Sequence, residues 1–339
     1  MGDTGTDSLR AILVEQVDRL LADGSGPDQL RAAERGEWPE ALWAEVEALG
    51  LPLALAPDGM GGAGLGWDDA AAVWAVLGRH AAPVPLGESM AAAGLLAASG
   101  IIPPTGPIAL AVPGEGLAWG RRAGHVVVAS GDTVALHPAA ELEEGRSPIA
   151  RLTLDRAAPG APVASAPMPG ALGPDAALLA GALLHAALIA GALEAVLDMT
   201  VDYANTRKQF GRPIGGFQAV QQLLAQAAGE VAAAGVAAAH AGRAAARRGI
   251  SGAVFEIASA KVVAGEAAGR VAAVAHQVHA AMGFTDEHPL HLFTRRLWSW
   301  RDACGAERVW ARRIGEAALA RGGAALWPDL TAREEGPAG

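Results

Sequence analysis

The chain has 339 residues, of which 51% are hydrophobic and 18% are charged, and this composition excludes disorder over most of its length. Its formal net charge of -10 argues against nucleic-acid binding, because a phosphate backbone is bound by clustered Lys and Arg side chains. The one cysteine, Cys304, excludes an internal disulfide and is typical of the reducing cytoplasm, where we expect the protein to act.

Residues 1–102 are predicted to form an N-terminal helical domain. Apolar residues recur there at helical spacing, and Gly50, a glycine-rich loop at 57–64 and two prolines at 83 and 85 separate the helices. The predicted helices span residues 8–21, 38–49, 68–79 and 89–98.

Residues 103–170 differ in character and are predicted to form a small β domain. Prolines recur, and short runs rich in β-branched residues are typical of about five to seven strands bounded by turns. The clearest runs span residues 108–112, 125–129, 133–136 and 149–154.

Residues 171–325 are predicted to form a C-terminal helical bundle, followed by a tail at 326–339. Alanine, a strong helix former, dominates this part of the chain. The stretch 176–197 is long and apolar enough to span a bilayer, but it contains His185 and Glu194, so we interpret it as a buried helix of the bundle. The predicted helices are 176–207, 217–247, 254–282, 290–300 or beyond, and a last one that ends near 320.

The strongest functional signal lies between two predicted helices of this bundle. Residues 203–218 read Tyr-Ala-Asn-Thr-Arg-Lys-Gln-Phe-Gly-Arg-Pro-Ile-Gly-Gly-Phe-Gln, so one helix ends at a glycine turn and Gln218 opens the next. Arg207 is then expected to project from a helix end. Its planar guanidinium suits a diphosphate there, because it offers paired, charge-assisted hydrogen bonds.

This string closely resembles the Arg-x-x-Phe-Gly…Phe-Gln element of the acyl-CoA dehydrogenases, a family of flavin enzymes. In that family the element reaches across a subunit interface to the FAD of the neighbouring chain. The resemblance implies that Arg207 contacts the FAD diphosphate and that Gln209, Phe210 and Gln218 line the flavin nucleotide.

A second string supports the resemblance. Residues 277–284, Gln-Val-His-Ala-Ala-Met-Gly-Phe, resemble the family's Gln-x-x-Gly-Gly-x-Gly-Phe element, which implies that Gln277 and Gly283 lie at the cofactor. Ala280 and Ala281 replace two glycines, which leaves less room for backbone contact with a ligand. The fold that the resemblance implies is mostly α, with an N-terminal helical domain, a reduced β-barrel-like middle domain and a C-terminal four-helix bundle.

The catalytic base of the family has no counterpart at either of its two known positions. The family's reaction removes a proton next to a thioester and transfers a hydride to the flavin, which needs a general base, usually Glu. Ungapped alignment places Gly181 at one position and Cys304 at the other. His185, on the same helix face as Gly181, is the candidate substitute, and Cys304 would act only as a thiolate.

No metal site is predicted. The histidines at 276, 279, 288 and 291 form two pairs with a spacing of three residues, but no carboxylate or thiol stands at ligand spacing. The resemblance instead places them near the flavin nucleotide.

The elements that this sequence retains, residues 207–218 and 277–284, resemble those that reach a flavin bound mainly by a partner chain. The catalytic base, which it lacks, serves a subunit's own active site. The leading hypothesis is therefore a subunit of a heteromeric, FAD-dependent acyl-CoA dehydrogenase, paired with a base-bearing chain. It resembles the short, base-less subunits of actinobacterial enzymes that oxidise sterol side-chain CoA thioesters. Two alternatives stay open: a homo-oligomeric dehydrogenase with a relocated base, and a flavin-free structural or acyl-CoA-binding protein. No nucleic-acid or membrane partner is expected.

Overall fold

Five helices form the N-terminal part of the protein. The computed structural model describes residues 3–140, 142–157 and 160–332. The four predicted helices are confirmed, and a fifth, α2, is not evident from the sequence pattern. Pro27 begins α2, at the position where a missing N–H leaves no hydrogen bond unmade. The helices are α1 (Asp3–Gly24), α2 (Pro27–Glu34), α3 (Glu40–Ala48), α4 (Trp67–Arg79) and α5 (Leu86–Ala98).

In the described part of residues 103–170, seven short strands form two small sheets, in agreement with the predicted number. The first sheet has the order β1-β3-β4-β7, in which β1 and β3 are parallel and the other pairs are antiparallel. The second is antiparallel with the order β2-β6-β5. The strands are β1 (Ile108–Ala111), β2 (Leu117–Ala118), β3 (His125–Ser130), β4 (Thr133–Pro138), β5 (Leu142–Glu143), β6 (Leu154–Ala157) and β7 (Ala164–Pro167).

The strand predicted at 149–154 is wrong, because a turn occupies most of it. The Ser147 hydroxyl accepts a hydrogen bond from the backbone N–H of Ala150 at 3.1 Å, and Arg151 has a φ of +57°. A strand begins only at Leu154. The β-branched and apolar residues that suggested a strand here instead line a cavity.

The C-terminal part is a helical bundle, as predicted. Its helices are α6 (Ala176–Thr206), α7 (Gln218–Gly252), α8 (Val254–His279), α9 (Leu290–Asp302), α10 (Glu307–Arg321) and α11 (Gly323–Thr331), and a two-strand hairpin, β8 (Lys208–Gln209) and β9 (Arg212–Pro213), joins α6 to α7. Helix α11 covers the start of the predicted tail, and residues 333–339 lie outside the described part of the chain.

Helix α6 is the central element of the protein. It is the one helix in the described ranges that is long and apolar enough to cross a membrane, with a mean hydropathy of 2.1 over its most apolar window. Of that window, 89% is buried by the protein itself. The interpretation of α6 as a core helix is therefore confirmed.

Two glycines let α6 and α4 cross at very short range. A Cβ atom at Gly78 would overlap the backbone of Leu188, and one at Gly191 would overlap the carbonyl oxygen of Ala75. Each glycine thus faces the other helix's backbone, and this contact docks the N-terminal helices on the bundle. Strand β1 follows α5 after residues 99–107, and α6 follows β7 after residues 168–175; the domain boundaries at 102/103 and 170/171 stay predictions.

Candidate active site and flavin-contact surface

The hairpin after α6 presents the predicted cofactor-binding side chains to the outside. Strands β8 and β9 pair through Lys208–Pro213 and Gln209–Arg212, and residues 210–211 turn with positive φ angles of +50° and +78°. Arg207, Gln209, Phe210 and Gln218 are all exposed, Phe210 to 92%. A ring exposed to this degree is available for contact with a ligand or another chain.

The second string lies directly beside this hairpin. The Tyr203 ring stacks on His279 at 4.4 Å between centroids, and Ile214 shares a small apolar cluster with Val278. Gln277 is exposed, whereas Gly283 is buried, and a Cβ atom on Gly283 would lie 3.0 Å from the Leu290 side chain. These residues, which are separated by some 70 positions in the sequence, therefore share one surface, which we call the flavin-contact surface (Arg207, Gln209, Phe210, Gln218, Gln277 and Gly283).

The glycine-like backbone of the second string is kept even where alanine has replaced glycine. Ala280 has φ +50° and ψ −135°, a combination that side chains with a Cβ rarely adopt. Neighbouring packing therefore holds this loop in shape against local strain.

The exposed side chains of this surface suit a ligand that carries a diphosphate. Arg207, Lys208 and Arg212 are exposed cations in one hairpin, and the Arg212 guanidinium lies 4.2 Å from the centre of the Phe217 ring. Arg207 forms no ion pair within the described residues, so its charge is available to a diphosphate. Beside it, the Nε2 atom of His279 is buried and has no hydrogen-bond partner in those same residues.

The two positions that correspond to the family's base come together in the interior. A Cβ atom at Gly181 would lie 2.5 Å from the Cys304 Sγ atom, so α6 and the turn after α9 meet at this point. Cys304 is 3% exposed. The Cys304 thiol occupies the space beside Gly181. A larger side chain at either position would therefore require the other residue to move.

Several hydrogen bonds fix the turn that holds Cys304, although no carboxylate occupies this position. Cys304 has φ +54°, its N–H donates to Glu115 Oε1 at 2.9 Å, and its carbonyl accepts from Trp310 Nε1 at 2.9 Å. The buried Lys261 ammonium donates to the carbonyls of Trp300, Arg301 and Ala303 at 3.1, 3.2 and 2.8 Å. Neither Glu115 nor Lys261 was singled out from the sequence, although Lys261 is a lone cation in an alanine-rich helix.

Glu115 also closes this position to a ligand. It lies in the loop between β1 and β2 and accepts the hydrogen bond of the Cys304 N–H. A substrate carbonyl can use that N–H only by displacing Glu115. In this arrangement the Cys304 N–H is therefore occupied within the chain.

His185 and Cys304 are poor bases in these surroundings. Burial, together with the charge of Lys261, lowers the pKa of His185 to about 3, and its Nδ1 atom lies 2.8 Å from the Gly181 carbonyl oxygen. Burial raises the pKa of the Cys304 thiol to about 12, although Lys261 opposes this. At neutral pH, His185 is a weakly basic neutral imidazole and Cys304 is a thiol.

A cavity of about 290 Å³ lies between these groups. Glu88, at the start of α5, lines it together with Glu115, Gly181, His185 and Cys304. Burial raises the pKa of Glu88 to about 7. Sequence reasoning missed Glu88, because nothing local distinguishes it from a carboxylate in the first turn of any helix.

The four histidines of the second string and α9 do not gather around a metal position. The His276 ring stacks on Phe284 and its Nε2 atom pairs with Thr294 Oγ1 at 2.9 Å, whereas His279 and His288 lie edge to face at 4.6 Å. Within the described ranges, no group of three or more His, Cys, Asp or Glu residues is placed to hold a metal ion.

Comparison with known protein families identifies both helical parts of the chain. The model for the acyl-CoA dehydrogenase N-terminal domain matches residues 8–102, and the model for the C-terminal domain matches residues 175–319. The segment between them, which contains the two small sheets, is matched by neither of these two models.

Individual relatives extend over most of the chain. Acyl-CoA dehydrogenase IpdE2 of Mycobacterium tuberculosis is 33% identical over 90% of this chain and 96% of its own length. The structure of the ChsE4-ChsE5 complex from the same organism superposes with a TM-score of 0.75 at 26% identity, covering 91% of this chain and 96% of the other. The steroid ACAD Tcur3481-Tcur3483 superposes with a TM-score of 0.81 at 25% identity, covering 94% and 99%.

Proposed function

Because this chain belongs to the acyl-CoA dehydrogenase family, we propose that it is the subunit that completes the flavin site of a base-bearing partner in a heteromeric acyl-CoA dehydrogenase. One observation carries the proposal, namely the contrast between its two candidate sites. Five of the six residues of the flavin-contact surface are exposed. The base positions instead hold Gly181 and Cys304 side by side, and the Cys304 N–H donates to Glu115.

The reaction of the assembly is the α,β-dehydrogenation of an acyl-CoA thioester. When bound, FAD supplies the acceptor for the hydride that leaves the β-carbon. In this chain Arg207 binds the diphosphate, because a guanidinium fork satisfies two phosphate oxygens at once. The amides of Gln209, Gln218 and Gln277 provide both donors and acceptors for the nucleotide, and the Phe210 ring covers its apolar faces.

The proton transfer belongs to the partner. A general base must reach the acidic carbon and have a pKa suited to neutral pH. His185, with its pKa near 3, and Cys304, with its pKa near 12, do not meet the second requirement. We therefore assign the base to the other chain and a purely binding role to this one.

The substrate that we propose is a CoA thioester of a sterol-derived acid. Support comes from the similarity to a steroid ACAD and to two mycobacterial dehydrogenases over nearly the full chain.

The experiment compares two preparations of the tagged chain. One is purified from the native host with its bound partners, and the other is expressed and purified without them. We expect the isolated chain to show no flavin absorbance and the native assembly to contain a second, base-bearing dehydrogenase chain with FAD. In that assembly Arg207→Ala should weaken FAD binding at least about tenfold, the loss expected for charge-assisted hydrogen bonds, and Arg207→Lys should weaken it less.

The matched control is Arg19→Ala, which removes a side chain that is 75% exposed on α1, and FAD binding should be unchanged. If the isolated chain holds one FAD per chain and oxidises an acyl-CoA, the proposal is wrong. If neither the chain nor its assembly ever contains flavin, the flavin-free alternative is correct.

A further inference from the structure

Positive charge gathers in a groove between α2, α9 and the turn before β6. The groove has a volume of about 660 Å³. Two carboxylates line it, against four arginines, which are Arg31, Arg35, Arg151 and Arg295. Because the formal net charge of the whole chain is -10, this is a local reversal of sign, and a cleft lined by one sign of charge attracts ions of the other.

One buried carboxylate serves two guanidinium groups beside this groove. Glu34 accepts hydrogen bonds from Arg295 Nη2 at 2.7 Å and from Arg296 Nη1 at 3.0 Å. The two arginine side chains are only 20% and 1% exposed, and no other carboxylate in the described ranges forms an ion pair with either. The Nε and Nη2 atoms of Arg296 are buried without a hydrogen-bond partner in those ranges. The three groups therefore carry one positive charge in excess, and a buried charge without a partner is costly.

His291 adds a hydrogen-bond donor to the groove. Its Nδ1 atom lies 3.3 Å from Arg295 Nη2, which can only donate, so Nδ1 accepts and the neutral ring carries its proton on Nε2. Burial, and next the charge of Arg295, lowers the pKa of His291, so the ring is neutral near pH 7. The Nε2 atom is buried and has no hydrogen-bond partner among the described residues. Asp286 does not supply one, because its Oδ1 atom lies 3.7 Å away and its side chain is 99% exposed.

The donors of this groove suit a phosphate group. They come from three elements, with Arg31 on α2, Arg151 on the turn and Arg295 on α9. A planar carboxylate matches one guanidinium fork, whereas a tetrahedral phosphate presents its oxygens in several directions and carries about −1.5 to −2 charges at pH 7. Arg151 is exposed and forms no ion pair within the described part of the chain, so its guanidinium is available to such a ligand.

The groove is larger than a phosphate ion requires, and part of its wall is aromatic. Phe284 and Trp298 line it, and the Phe284 ring, which is 68% exposed, stacks on His276 at 4.3 Å between centroids. An apolar or aromatic group attached to the phosphate therefore has a surface to contact.

We propose that this groove binds a phosphate group, either as inorganic phosphate or as the head of a small phosphate monoester, between Arg151, Arg295 and His291. The phosphate supplies the negative charge that Glu34 alone does not provide for two guanidinium groups. The groove shares no residue with the flavin-contact surface or with the cavity at Cys304, so the proposal is independent of the proposed function.

The probes are inorganic phosphate and phenyl phosphate, each titrated into the full-length chain by calorimetry at constant ionic strength, because salt screens exposed charges. We expect at least one of them to bind with a dissociation constant below about 1 mM. Phenyl phosphate that binds at least about fivefold more tightly than inorganic phosphate identifies a monoester as the ligand, and a smaller ratio identifies free phosphate. Phenol and benzoate, which present the ring without a phosphate, should bind more weakly than phenyl phosphate.

Two variants should change the affinity in opposite directions. Arg151→Gln should weaken phosphate binding about tenfold, the loss expected for one charge-assisted hydrogen bond. Glu34→Gln should tighten it about fivefold, because the carboxylate that competes for Arg295 is gone. A misfolded variant cannot bind more tightly, so this gain separates charge compensation from damage to the fold. The matched controls are Arg312→Gln and Glu316→Gln, at positions 72% and 69% exposed on α10, and both should bind as the wild type does.

Three results would overturn the proposal. The first is that neither phosphate compound binds to the wild type below about 1 mM. The second is an affinity that stays unchanged in Arg151→Gln or in Glu34→Gln, since the phosphate then lies elsewhere on the protein. The third is tighter binding of benzoate than of phenyl phosphate, which would identify the groove as a carboxylate site.

Discussion

The pH dependence of stability should reveal Glu88 directly. Burial raises its pKa from the usual value of 4.5 to about 7 in the folded protein. The folded state therefore holds the Glu88 proton more tightly than the unfolded state. The stability that this provides is fully present below pH 4.5 and is lost as the pH rises through about 7.

The magnitude follows from the shift. Each pKa unit corresponds to about 1.4 kcal/mol, so Glu88 should lower the free energy of unfolding by about 2.5 kcal/mol between about pH 5 and about pH 8. Glu88→Gln has no proton to lose. Its stability relative to the wild type should therefore rise by about 2.5 kcal/mol over that interval.

The assay is equilibrium unfolding in urea at both pH values, with reversibility checked by refolding. Wild type, Glu88→Gln and the surface control Glu316→Gln are compared. The control should follow the wild type within about 0.5 kcal/mol, because its carboxylate is exposed. If the curves of Glu88→Gln and wild type stay parallel from about pH 5 to about pH 8, the carboxyl does not titrate in a desolvated cavity and the reasoning fails.

Three further changes test the fold and the site. Gly191→Ala should destabilise the protein by about 2 kcal/mol or more in urea unfolding, because the added methyl overlaps a backbone carbonyl of α4. The control Gly235→Ala, on the open face of α7, should be neutral or stabilising. Equal effects of the two substitutions would contradict the close crossing of α4 and α6. Lys261→Met should cost about 2–4 kcal/mol, since three carbonyl oxygens lose their donor, and an unchanged midpoint in the same assay would refute its role at the Cys304 turn. His185→Ala should leave kcat of the assembled enzyme within a few fold, and a loss of several orders of magnitude would establish His185 as the relocated base.

Local patterns in the sequence predicted most of the fold. The longer helices and strands β1, β3 and β4 follow from apolar spacing, glycine turns and β-branched runs, which are properties of neighbouring residues. The errors have the same origin. Helix α2 is too short for its periodicity to be evident, and the run at 149–154 is apolar because it lines a cavity, which a strand pattern does not distinguish.

The candidate site was predictable only where one continuous motif carries it. Arg207 and Gln277 could be placed on a cofactor surface because each belongs to a recognisable string. The contact between Gly181 and Cys304 joins residues far apart in the sequence, and so does the bond from Cys304 to Glu115. Glu88 lines a cavity whose wall comes from several elements far apart in the sequence, so no local pattern identifies it.

The backbone conformation of Ala280 shows how the loop beside the flavin-contact surface is held in place. Its positive φ angle is strained for alanine, yet the loop keeps its place beside the hairpin through the Tyr203–His279 stack. Strain that persists at one point of a surface is often associated with function. It is consistent with a surface held in shape for binding a cofactor.

The central claim is that Arg207 binds the diphosphate of a flavin nucleotide shared between two chains. Its most direct test is a structure of the native assembly with flavin bound. The account predicts that the Arg207 guanidinium lies within hydrogen-bond distance of the FAD diphosphate, at a boundary with a base-bearing chain. An Arg207 side chain that points into solvent, far from any cofactor or subunit boundary, would contradict it.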